Sequence, residues 1–329
     1  MDVLENLLRT TVIIATINAT IRSAVPLILG SISGILSDRS SIVNIGIEGM
    51  MLFGAFAGYM TNVALSADHI VHGDTILAIN DVRLGLSVAA GVLLGGLAGL
   101  FHAILCVQYK VDHIISGTVV NILGLGITGY FYDSQAQTAG KIPPLISNPW
   151  HSDDPLYNLG RIVFDKSLIT YLTFFVVITT TFALFRTVWG LRTRAIGENP
   201  RAADTLGINV YRLQYFNLFM SGAIAGLGGA YLSLDDVGIF ERNMVAGRGF
   251  IALAVVIFGN WHPVGAMLGA LLFGFLSALQ SQLQFAGINA PHQIVSLVPY
   301  VVTVVVLAGF VGRSRPPAHL GQSYEVEGN

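Results

Sequence analysis

LGLSVAAGVLLGGLAGLFHAIL, residues 84–105, runs for 22 positions without one charged side chain. A helix needs about 20 mainly apolar residues to cross a hydrocarbon layer of about 30 Å, and in lipid it must satisfy its own backbone hydrogen bonds. The stretch therefore predicts a transmembrane helix. Gly91, Gly95 and Gly99 recur every four residues and so share one helix face. Gly222, Gly226 and Ala230 repeat the pattern, as do Gly265 and Gly269. Such stripes let helix backbones approach closely where no hydrophobic force pulls helices together. They build a tight bundle and say nothing about what passes through it.

The rest of the chain has the same character. Of 329 residues, 53% are hydrophobic and 11% charged, with mean hydropathy +0.68, against about 25% charged in soluble domains. No segment alternates apolar and polar residues in the manner of a barrel strand. A formal net charge of −2 gives no basis for nucleic-acid binding. The single cysteine, Cys106, has no partner for a disulfide or a thiol metal site and reads as a small buried apolar residue. Asp2 and Glu5 precede the first apolar stretch, a poor match to the basic start of a cleaved signal peptide, so this end is expected to be retained.

The reading is an all-α polytopic membrane protein. Nine spans are predicted, at 10–36, 42–63, 84–105, 114–132, 168–187, 214–233, 245–260, 263–283 and 294–311. Division of the first stretch around Arg22, into 3–20 and 24–37, would make ten. A re-entrant 245–260, which is interrupted by Gly247-Arg248-Gly249, would make eight. The connection at 188–213 with its flank holds Arg186, Arg192, Arg194, Arg201 and Arg212 against Glu198 and Asp204, and the tail holds Arg313 and Arg315. The excess of cations puts both in the cytoplasm. Parity then requires 245–260 to cross and places the N-terminus outside. The loop at 133–166, with Pro143, Pro144, Pro149, Pro155 and four acidic residues, is expected to face outward. The organisation is one membrane domain, 1–311, followed by a cytoplasmic tail, 312–329.

Within the basic connection, RTRAIGENPRAADTLGIN (192–209) carries the punctuation of a short, deliberately ended helix. Asn199 is a good N-cap, Pro200 suits the first helical position, and Gly207 can take the left-handed turn that ends it.

Polar side chains inside the spans are the candidates for chemistry. Asn44 and Glu48 lie four apart and share a helix face. A carboxylate at depth usually faces a cavity or a partner; near the cytoplasmic interface, Glu48 would instead cap or pair with a neighbouring loop such as that of Arg39. Asn121, Asn217, Gln280, Gln282 and Gln284 add amides, which neither titrate nor carry charge and so suit a neutral hydrogen-bonding solute or helix–helix contacts. Phe53, Phe56, Tyr59, Phe258 and Trp261 are aromatic groups able to stack a base or a sugar, or simply to fill the bundle. The candidate pathway is Asn44, Glu48, Phe53, Asn121, Phe258 and Gln280. A second interrupted segment, VAGRGFIALAVVIFGNWHPVGAMLG, lies in the other half of the chain. Paired broken segments point to a transport site near the midplane. No H-E-x-x-H, G-x-S-x-G or Walker A pattern occurs, so no catalytic residue and no metal site is expected, and any ATP would be bound by another chain.

Three stretches, SDRSSIVNIGIEGMMLFGAFAGY (37–59), GLRTRAIGENPRAADTLGINVYRLQYFNLFMSGAIAGLGGAYL (190–232) and GRGFIALAVVIFGNWHPVGAMLGALLFGF (247–275), together resemble the bacterial ABC-transporter permeases of the ribose and nucleoside import group. The likeness is greatest to the shorter permease subunit of nucleoside importers, runs over nearly the whole chain, and is weakest at 66–83 and 133–166. It implies a multi-pass subunit of the bacterial cytoplasmic membrane with no catalytic activity or cofactor of its own. It also implies a second, longer permease, an ATP-binding cassette ATPase that uses the ATP, and an extracytoplasmic solute-binding lipoprotein. Residues 192–209 would then carry the coupling helix that docks on the ATPase, with Arg194, Ala195, Gly197, Glu198, Asn199, Pro200, Ala202, Ala203 and Gly207 matching. The small residues at 202 and 203 would permit close docking. The sequence leaves a homodimer open. Its rivals for function are a permease for ribose or a related sugar, and an ion-coupled carrier with Glu48 as its proton site.

Overall fold

The computed structural model describes residues 10–67, 76–132, 160, 162–285 and 314–325. The segment 294–311 and nearly all of the 133–166 loop lie outside the described residues. The elements are α1 (Thr10–Asp38), α2 (Ile47–Ala67), α3 (Ile76–Ala103, continued by a π turn at Ile104–Gln108), α4 (His113–Phe131) and α5 (Leu168–Arg186). They continue with α6 (Val188–Glu198), α7 (Pro200–Thr205), α8 (Val210–Tyr231, continued by a π turn at Leu232–Asp236), α9 (Arg248–Phe258) and α10 (Pro263–Phe285). Polar side chains start several of them: Asp112 accepts from the Ile114 and Ile115 amides, Ser167 from Thr170, Thr187 from Gly190, Asn199 from Ala202 and Asn209 from Arg212.

Among the described residues six helices, rather than nine, are long and apolar enough to cross a membrane: α1, α3, α4, α5, α8 and α10. Of the predicted spans within the described residues, 42–63 and 245–260 are not among the six. Helix only begins at Ile47, after a break at 39–46, and α2 carries Glu48 and Asn62. α9 has 11 residues, about 16 Å at 1.5 Å per residue, which is half of a bilayer.

The first stretch is not divided at Arg22; α1 is one helix of 29 residues. Arg22 pairs with the Asp236 carboxylate and backbone carbonyl. Pro26 lacks the N–H that would bond the Arg22 carbonyl, and the Tyr231 hydroxyl donates to that carbonyl instead, at 3.3 Å.

Packing follows the glycine stripes. A Cβ on Gly222 would come within 2.3 Å of the Gly95 carbonyl oxygen, one on Gly226 within 2.4 Å of that of Gly91, and one on Gly54 within 2.3 Å of that of Gly226. α8 is therefore wedged between α2 and α3 at backbone contact, and its glycine-rich half is buried. α1 is the second hub, packed on α8, α9 and α10. Its Ile28, Ile32, Ile35 and Leu36 meet Val255, Val256, Trp261, Ala266 and Ala270 in one buried cluster. The outward faces of α4 and α5, with Ile115, Ile122, Ile178 and Phe182, are exposed apolar surface, as lipid contact or a lateral partner requires.

Asp38, Arg39, α6, α7, the turn at 259–262 and residues 314–325 gather at one end of the bundle. The Trp261 indole donates to Asp38 (2.7 Å) and Arg39 to the Trp261 carbonyl (3.0 Å). Ser41 Oγ donates to the Ile196 carbonyl (2.7 Å). This is the basic end.

Candidate functional site

Two helices start inside the bundle instead of at its ends. Gly30 and Gly34 of α1 face Ala252 and Val256, so α9 runs beside the second half of α1 in the same direction. With its last turn at the basic end, its first turn lies about 16 Å inside. The residues leading into it, 237–247, are not helical. Phe240 and Val245 in that segment are fully buried, and Phe240 is ringed by Phe56, Tyr59 and Tyr132 at centroid distances of 5.3, 6.0 and 5.7 Å. Non-helical backbone is tolerated at membrane depth only when protein encloses it.

The start of α2 meets the start of α9. Glu48, 6% exposed, accepts from the Gly247 amide through Oε1 and from the Gly249 amide through Oε2, both at 2.7 Å. The carboxylate thus caps the first turn of α9, where free N–H groups and the helix dipole favour a negative charge. Gly247 has φ +84°, and a Cβ on Gly249 would lie 2.6 Å from the Glu48 amide nitrogen. Both glycines of the G-R-G interruption are needed by this cap, one for its turn and one for its closeness.

The break before α2 is held just as tightly. Asn121 of α4 accepts from the Gly49 amide (2.7 Å) and donates to the Ile45 carbonyl (3.0 Å). His102 bonds the Val43 carbonyl (3.2 Å) and His113 accepts from the Val43 amide (3.4 Å). Asn44, fully buried, donates to Ser221 Oγ (3.1 Å), which donates to the Ser33 carbonyl (2.8 Å). Its own Oδ1 is buried without a partner among the described residues.

The six residues proposed for a pathway therefore do not form one site. Asn44, Glu48 and Asn121 converge on the break, but Glu48 and Asn121 direct their polar atoms at backbone rather than into open space. Phe53 packs into the core beside α8. Phe258 lies at the opposite end of α9, edge-on to Phe273 (5.6 Å), and Gln280 is half-buried late in α10. Sequence reading missed Ser33, Ser221 and Phe240. Serines and one more phenylalanine in apolar helices carry no local mark.

At the basic end the short helix is present as α7, six residues opened by Asn199 and Pro200, with Gly207 at φ +78°. Arg194 lies half-buried over the Phe185 ring (5.0 Å), Ala195 is half-buried, and Gly197 has no room for a Cβ beside the Arg39 carbonyl (2.5 Å). Pro200 is buried, while Glu198, Asn199, Ala202 and Gly207 are exposed. Ala203 departs from expectation. It is 2% exposed and packs inward on Ile196, Val210 and Tyr324, because a helix of under two turns must bury one face to persist. The apolar knob on the open side is Leu206, 81% exposed. The Tyr324 phenol, outside the spans, is pushed up to about 12 by burial and by its hydrogen bond to Asp204, so it stays a donor at neutral pH. Among the described residues no three of His, Cys, Asp and Glu converge as metal ligands.

The sequence profile described as branched-chain amino acid transport system, permease component, matches residues 16–307. The chain belongs to that permease family. It is a membrane transport subunit, integral to the bilayer. This permease is 38% identical to the nucleoside ABC transporter permease protein NupC of Lactococcus lactis subsp. cremoris, over 91% of this chain and 93% of that one. It is 37% identical to the guanosine ABC transporter permease protein NupQ of Bacillus subtilis, over 93% and 95%. TsgC13 of Haloferax volcanii, whose name assigns it provisionally to glucose, is 33% identical over 94% and 97%. The same two bacteria hold a second, more distant relative each, NupB and NupP, of whose longer chains the permease covers 80% and 82%.

Proposed function

We propose that this permease is the shorter membrane subunit of an ATP-driven importer that carries nucleosides across the bacterial cytoplasmic membrane. The carrying observation is near-full-length similarity to two permeases named for nucleoside and guanosine transport. The pairing of NupC with NupB and of NupQ with NupP supports a heterodimer with a longer permease. The family supports an ABC ATPase, which uses the ATP, and an outer binding lipoprotein as further partners.

In this reading the basic end is cytoplasmic and α7 is the coupling helix. Movement of the ATPase reaches α6 and then Arg39 and Trp261, the ends of α1 and of the α9–α10 turn. α9 carries it inward to Glu48 and the start of α2. Two helices that start within the bundle and meet through one carboxylate give a pair of states that a small shift can exchange. Asn44 Oδ1 is the polar atom left to hydrogen-bond a neutral solute.

The test is uptake of labelled guanosine by proteoliposomes holding the complete complex, with ATP inside. ATP-dependent uptake of guanosine, blocked by unlabelled nucleosides and not by ribose or glucose, is expected. Competition by the sugars alone would favour the sugar reading, for which similarity to TsgC13 speaks. Uptake that follows a proton gradient without ATP would overturn both.

Two further results are expected. In a Cys106→Ser background, Leu206→Cys should react with an impermeant maleimide only from the cytoplasmic face and Val237→Cys only from outside. The reverse would invert the topology. Leu206→Asp, which puts a charge on the exposed apolar knob, should reduce ATPase co-purification by about tenfold, as loss of a central interface anchor does. Unchanged recovery would remove α7 from the docking surface.

A further inference from the structure

Residues 314–325 read in the sequence as a tail, yet they lie across the basic end as a strap. The Arg315 amide donates to Asn260 Oδ1 (2.8 Å), the Ala318 amide to Glu198 Oε2 (3.3 Å), the His319 amide to the Gly197 carbonyl (3.0 Å) and the Gly321 amide to the Ser41 carbonyl (2.9 Å). The Tyr324 ring is buried among Ile196, Ala203 and Val210, and its carbonyl accepts from Tyr211 (3.4 Å). Glu325 pairs with Lys110 (2.7 Å) beyond the end of α3. One short segment thus ties together α6, α7, α8, the break at 39–46 and the turns at 259–262 and 109–112.

Strap and helix do not close on each other completely. Between them lies a cleft of about 440 Å³, lined by Asn199 and Arg201 at the start of α7 and by His319, Gln322, Ser323, Tyr324 and Glu325 of the strap. His319 Nδ1 is buried with no hydrogen-bond partner among the described residues. A buried polar atom without a partner is costly and calls for a group that will bond to it. Gln322 and Ser323 are exposed at the rim, and Ala202 of α7 and Leu206 just after it are exposed as well.

We propose that the strap and α7 form one composite docking surface for the ATPase, whose hydrogen-bonding side chain enters the cleft and bonds His319 and the amides around it. The inference rests on the importer reading and extends it. A six-residue helix cannot transmit force unless something rigid backs it. Tyr324 supplies that backing, its ring packed on Ala203 and Val210 at the floor of the cleft, while Gln322 and Ser323 add exposed contact area at the rim. Tyr324 is a positioning residue in this scheme, and Ser323 is a contact residue.

A benzophenone amino acid placed at Gln322 in the assembled complex should cross-link to the ATPase chain under ultraviolet light, whereas one at Tyr130 on α4 should not. Ser323→Trp, which fills the cleft, should weaken ATPase association about tenfold. Tyr324→Ala should leave the complex assembled but reduce solute-stimulated ATP hydrolysis severalfold, with Tyr324→Phe restoring most of it because the ring remains. A Gln322 probe that yields no ATPase product while the same probe at Leu206 does would overturn the composite surface and leave the importer reading standing. Failure at both positions would remove the importer reading itself. Ser323→Trp with unimpaired association would also overturn the proposal.

Discussion

Glu48→Ala is expected to abolish uptake and to lower the thermal midpoint of the purified permease by more than any other single polar-to-alanine change in α2. The substitution leaves the Gly247 and Gly249 amides without their acceptor inside the bundle. An unsatisfied buried donor costs about 1–3 kcal/mol, so the pair costs about 2–6 kcal/mol against a net stability of about 5–15 kcal/mol. Glu48→Gln preserves shape and one acceptor oxygen, and from the sequence that suffices for much of the activity. The geometry sets a stricter limit. Each carboxylate oxygen receives a different amide at 2.7 Å, so a glutamine can accept one and must turn its own N–H₂ toward the other. The glutamine variant should fall between wild type and alanine in both uptake and melting temperature. A proton-coupled carrier predicts something else: a glutamine variant that is as stable as wild type but inactive, beside a wild-type protein whose uptake follows the proton gradient without ATP. That result would sink the capping role together with the importer.

Gly226→Val and Gly229→Val are expected to yield no folded permease, whereas Gly126→Ala should be indistinguishable from wild type. A Cβ on Gly229 would lie 1.8 Å from the Met51 carbonyl oxygen, and one on Gly226 2.4 Å from that of Gly91. In both cases the obstacle is backbone, which cannot rotate away, so the cost exceeds the about 1–3 kcal/mol typical of overpacking against side chains. Around Gly126 a Cβ meets nothing within 4 Å. Recovery as a monodisperse peak in size-exclusion chromatography, followed by thermal melting, separates the cases. A Gly226→Val protein melting within about 2 °C of wild type would mean that α2, α3 and α8 do not meet at these glycines.

These two tests bear on different layers of legibility. The glycine stripes on α3 and α8 were visible as four-residue repeats, and they mesh because such a stripe on one helix accepts its counterpart on another. Asn199, Pro200 and Gly207 also announced their helix, since capping is settled within one turn. Of the nine predicted spans, six coincide with helices long and apolar enough to cross and 294–311 lies outside the described residues; 42–63 and 245–260 differ because hydropathy windows see apolar content and not continuity. The predicted spans opened at 42 and 245, inside the breaks at 39–46 and 237–247, and only enclosure by neighbouring helices lets that backbone stay open. Ala203 was placed on the outer face for want of any sign of Tyr324, a residue 121 positions later that covers it.

By itself the sequence determined that this is a helical membrane protein, which face of each glycine-bearing helix packs, and where the short helix at the basic end starts and stops. Burial in lipid and capping depend on side chains within a turn or two, so local pattern is sufficient. Only the tertiary structure decided that Glu48 caps a helix 199 residues away, that Asn121 fastens the start of α2, and that the chain's last described residues buttress α7. Those contacts depend on the register in which helices slide and cross, and register is set by the combined shape of many surfaces at once, which no single stretch of sequence encodes.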